Sequence, residues 1–127
     1  MIRNGAADVL IVDDEPDICW ALTHILKGVG IVPVTTTSGR EALRLARSQR
    51  FALAFVDAKL PDLDGLDLAR RIREGDAAVR IVLVSGYFYR DDAEVRQAMA
   101  AGLITDFVSK PIPHEEVQAI AREVLSR

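Results

Sequence analysis

Cysteine is almost missing from this sequence: Cys19 stands alone among 127 residues. No internal disulfide can form, and a reducing, cytoplasmic setting is expected. Cys19 lies in an apolar helical pattern, where a lone cysteine serves as core packing rather than as a nucleophile. Long apolar runs are missing too. No stretch approaches the ~18 residues a membrane span needs, and the first ten residues hold no apolar run of signal-peptide length. No membrane association is expected. Basic clusters are equally scarce, with 16 Lys and Arg against 19 Asp and Glu and a net charge of −3. Direct nucleic-acid binding by this chain is therefore not expected. The two histidines, His24 and His114, have no metal-spaced partners.

What is present is an ordinary globular balance, 50% hydrophobic and 28% charged, at a length expected to form one domain over residues 1–127. Five short apolar runs alternate with five segments of helical period. The runs are Val9–Val12, Ile31–Val34, Ala52–Val56, Ile81–Val84 and Leu103–Val108. Three are nearly continuous, as strands covered on both faces of a parallel sheet should be. Pro33 interrupts the second and Asp106 the fifth, which places those two at the sheet edges. Helical stripes follow in Ile18, Leu22, Ile25 and Leu26; in Leu68, Ala69 and Ile72; in Val95, Ala98 and Met99; and in Val117, Ile120, Ala121, Val124 and Leu125. Ser38 with Glu41 has capping-box spacing, and Gly28, Gly75 and Gly102 stand where left-handed C-caps are expected. Trp20 falls one position off its helix's stripe and is read as a packing residue.

Alternating βα units imply right-handed crossovers and an α/β doubly wound five-stranded parallel sheet. Edges at strands two and five fit the order 2-1-3-4-5. Ligands in such sheets bind beyond the carboxyl ends of the strands, at the switch point between strands one and three. Those ends carry Asp13, Asp14 and Glu15; Asp57; Ser85 and Gly86; and Lys110 and Pro111. Each has a plain structural reading taken alone, such as a helix cap for Asp14 or Glu15 ahead of Pro16. Their convergence on one rim favours a functional site.

Three carboxylates at ~5 Å separations repel by roughly 3 kcal/mol per pair at an effective dielectric of about 20. A hard divalent cation, Mg²⁺ or Mn²⁺, would relieve that cost through oxygen ligands. Asp57 then has the character of a nucleophile that forms an aspartyl phosphate. Lys110 supplies a point charge for phosphoryl oxygens and Ser85 a hydroxyl donor.

From about Val9 to Leu125 the chain resembles the receiver domain of bacterial two-component response regulators. The resemblance rests on Leu10-Ile11-Val12-Asp13-Asp14-Glu15, on Asp57 followed by Leu60-Pro61-Asp62-Leu63-Asp64-Gly65, on Ser85-Gly86, and on Phe107-Val108-Ser109-Lys110-Pro111. It implies a flavodoxin-like (βα)5 fold. It implies that Asp14 and Asp57 ligate Mg²⁺ directly, that Asp13 acts largely through water, and that the Lys59 backbone carbonyl is a further ligand. Asp57 is implied to be the phosphoacceptor for a sensor histidine kinase or phosphotransfer protein, with Ser85 and Phe107 the switch pair. Self-catalysed phosphotransfer and autodephosphorylation belong to the same pattern. The signal is implied to leave through the fourth helix, fifth strand and fifth helix toward an effector or a homodimer partner. A pseudo-receiver, binding partners without phosphorylation, is the alternative; the full set of acidic, hydroxyl and lysine positions speaks against it. A phosphohydrolase would want a second aspartate two residues after Asp57, where Lys59 stands.

Three positions depart from the common pattern. Phe107 replaces a frequent tyrosine; apolar area must drive its burial, and phosphorylation is expected to free room for it to turn inward. Lys59 is unusual beside an acceptor and either shields the acyl phosphate or points to solvent. Tyr87-Phe88-Tyr89 places three aromatics beside the site, where Tyr87 is expected to cover the pocket in part.

Overall fold

The run Val9–Val12 forms strand β1 with the limits its sequence suggests, and all four residues are buried. It is followed by α1 (Pro16–Lys27), β2 (Val34–Thr36), α2 (Gly39–Ser48), β3 (Leu53–Asp57), α3 (Gly65–Gly75), β4 (Arg80–Ser85), α4 (Ala93–Ala100), β5 (Asp106–Ser109) and α5 (His114–Leu125). The computed structural model describes residues 9–87 and 92–125; Phe88 and Tyr89 of the aromatic triplet lie outside them. Every strand pairing is parallel and the order is β2-β1-β3-β4-β5, as the alternating pattern implies.

Side chains that alternate along the strands build two cores. Leu10, Val12, Ala54, Val56, Ile81, Leu83 and Phe107 face α2, α3 and α4, where they meet Ala42, Leu68, Ile72 and Val95. Val9, Ile11, Leu53, Phe55, Val82, Val84 and Val108 face α1 and α5, against Leu22, Leu26, Val117 and Ala121. Each fully buried Leu, Val or Phe contributes about 1.5–3 kcal/mol, so both faces drive the sheet to the middle. Cys19 packs in the second core.

Two strands begin three residues later than their apolar runs. Ile31 is buried, but its N–H closes the end of α1 on Leu26 O. The ladder therefore starts at Val34, with Pro33 just outside it. Likewise the Leu103 and Ile104 N–H groups bond Ala98 O at the end of α4, leaving Asp106 to open β5. Both segments are edge strands, as expected. Of the three glycines expected in left-handed caps, only Gly102 has positive φ, at 75°. Gly28 is right-handed, at φ −62°, and Gly75 is the last residue of α3. The left-handed turn after α1 falls on Gly30, at φ 83°. Only half of the capping box forms: Ser38 Oγ accepts from the Glu41 N–H at 3.2 Å, while the Glu41 carboxylate turns to Arg44. Trp20 is not a packing residue. It is 68% exposed, its ring stacked on His24 at 5.3 Å.

Candidate functional site

Parallel strands end together, and the side chains just past β1, β3, β4 and β5 share one rim. Asp13 follows β1, and its N–H bonds Thr36 O across the edge at 3.1 Å. Asp57 is the last residue of β3 and Ser85 the last of β4, while Lys110 follows β5 with its N–H on Ser85 O at 2.9 Å. Asp13, Asp57 and Ser85 are buried, and Asp14 is exposed. The structure thus brings together Asp13, Asp14, Asp57, Ser85 and Lys110 as their positions in sequence imply.

One carboxylate oxygen from each of Asp13, Asp14 and Asp57 lies within 4.8 Å of the other two. Burial, then the Asp13 charge and a hydrogen bond with Asp14, push the Asp57 carboxyl up to about 7; Lys110 and the Lys59 N–H pull the other way. Burial likewise raises the Asp13 carboxyl, against the Glu15 N–H and Lys110. Among the described residues the buried Asp13 Oδ2 meets no hydrogen-bond donor in good geometry, only the Lys110 charge at 3.1 Å. Crowded, raised carboxyls and an under-satisfied buried oxygen fit a hard divalent cation. Asp13, Asp14 and Asp57 would hold it.

Lys110 lies between the acids, its Nζ 3.1 Å from Asp13 Oδ2, 2.8 Å from Glu15 Oε1 and 3.6 Å from Asp57 Oδ1. Burial pushes the lysine pKa down, but the hydrogen bond to Glu15 and the negative charges of Asp13 and Asp57 outweigh it and hold the group well above its ordinary value. Lys110 therefore stays charged throughout the physiological range. Glu15 had only a capping role in view from sequence. It is the N-cap residue of α1, yet makes no side-chain cap; instead Asp13 Oδ1 accepts from its N–H at 2.9 Å. Being the third acid in an unbroken run was the only sign of it.

After Asp57 the chain makes a tight return. Gly65 N–H bonds Ala58 O at 3.0 Å, and a Cβ at Gly65 would lie 2.2 Å from Asp57 O. Only glycine fits there. Asp64 caps α3 through the N–H groups of Leu66 and Asp67 and pairs with Lys59 in an isolated bridge. The Lys59 N–H stands 3.4 Å from Asp57 Oδ1, so its backbone borders the acids. The Lys59 side chain is exposed. Its Nζ sits 5.7 Å from the centroid of the Tyr87 ring, in cation–π contact. Tyr87 N–H donates to Ser85 Oγ at 2.9 Å. Its ring is 72% exposed, a neighbour of the pocket rather than its lid.

Phe107 is 1% exposed and already packed in the first core. The inward position expected of the phosphorylated form is occupied at rest. Without a hydroxyl, nothing polar holds the ring at the surface, and apolar burial decides its rotamer. The Lys110–Pro111 peptide is cis. No helix among the described residues is long and apolar enough to cross a membrane.

An open α/β sheet with acids, a hydroxyl and a lysine at its switch point defines a class of phosphoryl-handling domains. Residues 9–122 match the response regulator receiver domain family, and the chain belongs to it. It is 34% identical over 119 residues to the transcriptional regulatory protein AfsQ1 of Streptomyces coelicolor, covering 94% of this chain and 51% of that protein. It is 29% identical over 119 residues to the transcriptional regulatory protein ZraR of Escherichia coli, covering 94% of this chain and 26% of that one. The chain thus spans between a quarter and a half of the length of these relatives. Among solved structures it resembles the Vibrio cholerae chemotaxis protein CheY4, at TM-score 0.81 and 27% identity with 94% and 98% of the two chains covered. A CheY-like receiver domain from Methanospirillum hungatei superposes at TM-score 0.84 and 24% identity, covering 94% and 93%. This is a receiver domain of two-component response regulators, and its acidic pocket is consistent with a phosphorylation-activated switch.

Proposed function

We propose that the chain accepts a phosphoryl group on Asp57 from the phosphohistidine of a sensor histidine kinase or phosphotransfer protein. An oxygen of the Asp57 carboxylate forms the bond to phosphorus as the phosphorus–nitrogen bond of the donor breaks, and the freed imidazole takes a proton from water. A Mg²⁺ or Mn²⁺ ion held by Asp13, Asp14, Asp57 and the Lys59 carbonyl would neutralise charge on the transferring group. Lys110 contributes a fixed positive charge to the phosphoryl oxygens. To do so Nζ must leave Glu15 or Asp13, so these contacts set how readily the lysine turns to the phosphoryl group. Ser85 offers its hydroxyl to the acyl phosphate, drawing its loop toward Asp57. In this reading the chain catalyses its own phosphorylation and its own hydrolytic reset. The changed loop is relayed through α4, β5 and α5 to an effector or to a second phosphorylated copy. Any effector domain lies outside residues 1–127, a placement supported by the greater length of the relatives. A cytoplasmic location is part of this reading, supported by the lone, buried Cys19.

The observation that carries this reading is the buried Asp57 carboxylate within reach of two acids and one fixed lysine. The test is intact mass after incubation with Mg²⁺ and acetyl phosphate, with Asp57→Asn alongside. One added phosphoryl group on the parent, absent from the variant and dependent on Mg²⁺, is expected. Failure to gain mass, together with failure to bind beryllofluoride, would leave the pseudo-receiver.

A further inference from the structure

Asp62 belongs to the return loop after Asp57, yet its carboxylate serves a different element. Oδ1 accepts from the Gly39 N–H at 3.0 Å, and Oδ2 accepts from the Arg40 N–H at 3.1 Å and from Ser38 Oγ at 3.1 Å. Ser38 Oγ in turn accepts from the Glu41 N–H. Three of the four N–H groups that a helix start leaves without partners are thus served, two of them by a side chain 22–23 residues away. These bonds hold the Asp62 carboxyl below its usual range.

The approach is close as well as polar. A Cβ on Gly39 would stand 3.0 Å from Leu63 Cβ and 3.2 Å from Asp62 Oδ1. The start of α2 and the return loop are therefore fitted to each other. The β2–α2 connection reaches the other side of the site too: Thr36 Oγ1 accepts from the Ser38 N–H, and Thr36 O accepts from the Asp13 N–H. A continuous line of hydrogen bonds runs from the Asp13 backbone to Asp62, three residues beyond Lys59.

From this geometry we propose that Asp62 is a positioning residue for cation binding and phosphotransfer: by capping α2 from outside, it fixes the backbone of Ala58–Asp64 against the acidic pocket. The proposal rests on the phosphoacceptor reading only for its last step. Asp64 secures the far end of the loop on α3; Asp62 secures the middle. Without Asp62 the acids remain, but the Lys59 backbone is free to move away from them.

The experiment compares the parent chain with Asp62→Ala, Asp62→Asn and Gln118→Ala. The last removes the bond from Gln118 to Ile25 O between α5 and α1, a loss remote from the loop. Three quantities are measured: amide hydrogen exchange at Gly39, Arg40 and Lys59 in metal-free protein, the Mg²⁺ dissociation constant by calorimetry, and phosphoryl uptake from acetyl phosphate at low and saturating Mg²⁺. Asp62→Ala is expected to speed exchange at all three amides. It should weaken Mg²⁺ by about tenfold, the lower end of what losing an outer partner of a metal site costs. Phosphoryl uptake should fall at low Mg²⁺ and recover at saturation. Asp62→Asn keeps one acceptor oxygen and should fall between. Should the alanine variant fail to fold, the asparagine variant decides through the same three readouts. A Mg²⁺ constant within twofold of the parent's in the Asp62 variants, with only stability lost, would overturn the proposal and leave a helix cap. So would an equal weakening in Gln118→Ala. A parent whose Mg²⁺ binding depends on Asp62 but which takes no phosphoryl group would sink the phosphoacceptor reading alone.

Discussion

Asp57 shows how a site can be arranged against its own stability. In the folded, metal-free chain its carboxyl is raised to about 7 by burial and by its acidic neighbours. A raised acid binds its proton more tightly folded than unfolded, so its contribution favours folding at low pH and is lost as pH climbs from about 4 through 7. Asp57→Asn removes that loss. Above pH 7 the variant is expected to be more stable than the parent by roughly 1–2 kcal/mol, below the full shift because water and side chains can relax around the ionised carboxylate. Near pH 4 the difference should vanish. Urea titrations of both proteins at the two pH values measure it. An equal or lower stability of the variant at pH 7.5 would mean that Lys110 already balances the cluster. Asp13, Asp14, Asp57, Ser85 and Lys110 were legible in the sequence because parallel strands deliver their last residues to one rim. Glu15 and Asp62 were not. Their partners are 95 and 22–24 residues distant, and no local pattern encodes such a pairing.

At the scale of elements, the loop from β3 to α3 is set by what it cannot contain. A side chain at Gly65 would collide with the Asp57 carbonyl at 2.2 Å and with Ala58 Cα at 2.8 Å. These are backbone atoms of Asp57 and of the residue after it, so relief requires the end of β3 to move. Gly65→Ala should cost about 1–3 kcal/mol, as overpacking does, and should slow phosphorylation of Asp57. Gly30 offers the comparison. Its φ of 83° strains an added Cβ, but the space around it is open, so Gly30→Ala should cost about 1–2 kcal/mol with phosphorylation unchanged. Equal losses of phosphorylation in both would show the effect to be stability alone. The same scale explains where sequence patterns misplaced the strands. Apolar residues after α1 and α4 are needed twice: Ile31, Leu103 and Ile104 look like strand starts, yet their N–H groups finish helices. Hydrophobicity reports burial, not which backbone partner a residue takes, and so β2 and β5 were found but set about three residues early. The central strands were free of that ambiguity.

For the molecule as a whole, the acidic pocket and the fold draw on one free-energy difference. Asp13 and Asp57 are both raised by burial, Asp57 to about 7, so their contribution to metal-free stability should decline as pH rises from about 4 through 7. Lys110, raised as well, gives stability that is complete at all these pH values and is lost only above the ordinary lysine range. A divalent cation bound by the ionised carboxylates, and only in the folded arrangement, would reverse the decline. At ten times its dissociation constant, Mg²⁺ should stabilise the fold by about 1.4 kcal/mol. For a domain of this length that raises Tm by roughly 5 °C. The cation must displace a proton from the pocket below pH 7, so the shift should shrink at pH 5.5 and be full at pH 8. Thermal melts with and without Mg²⁺ at these two values test the linkage, with Asp57→Asn reducing the shift at pH 8. A Tm that rises with pH in metal-free protein, or a Mg²⁺ shift indifferent to pH, would mean that the carboxylates are already balanced within the fold. The pocket would then have no stored repulsion for cation or phosphoryl group to relieve.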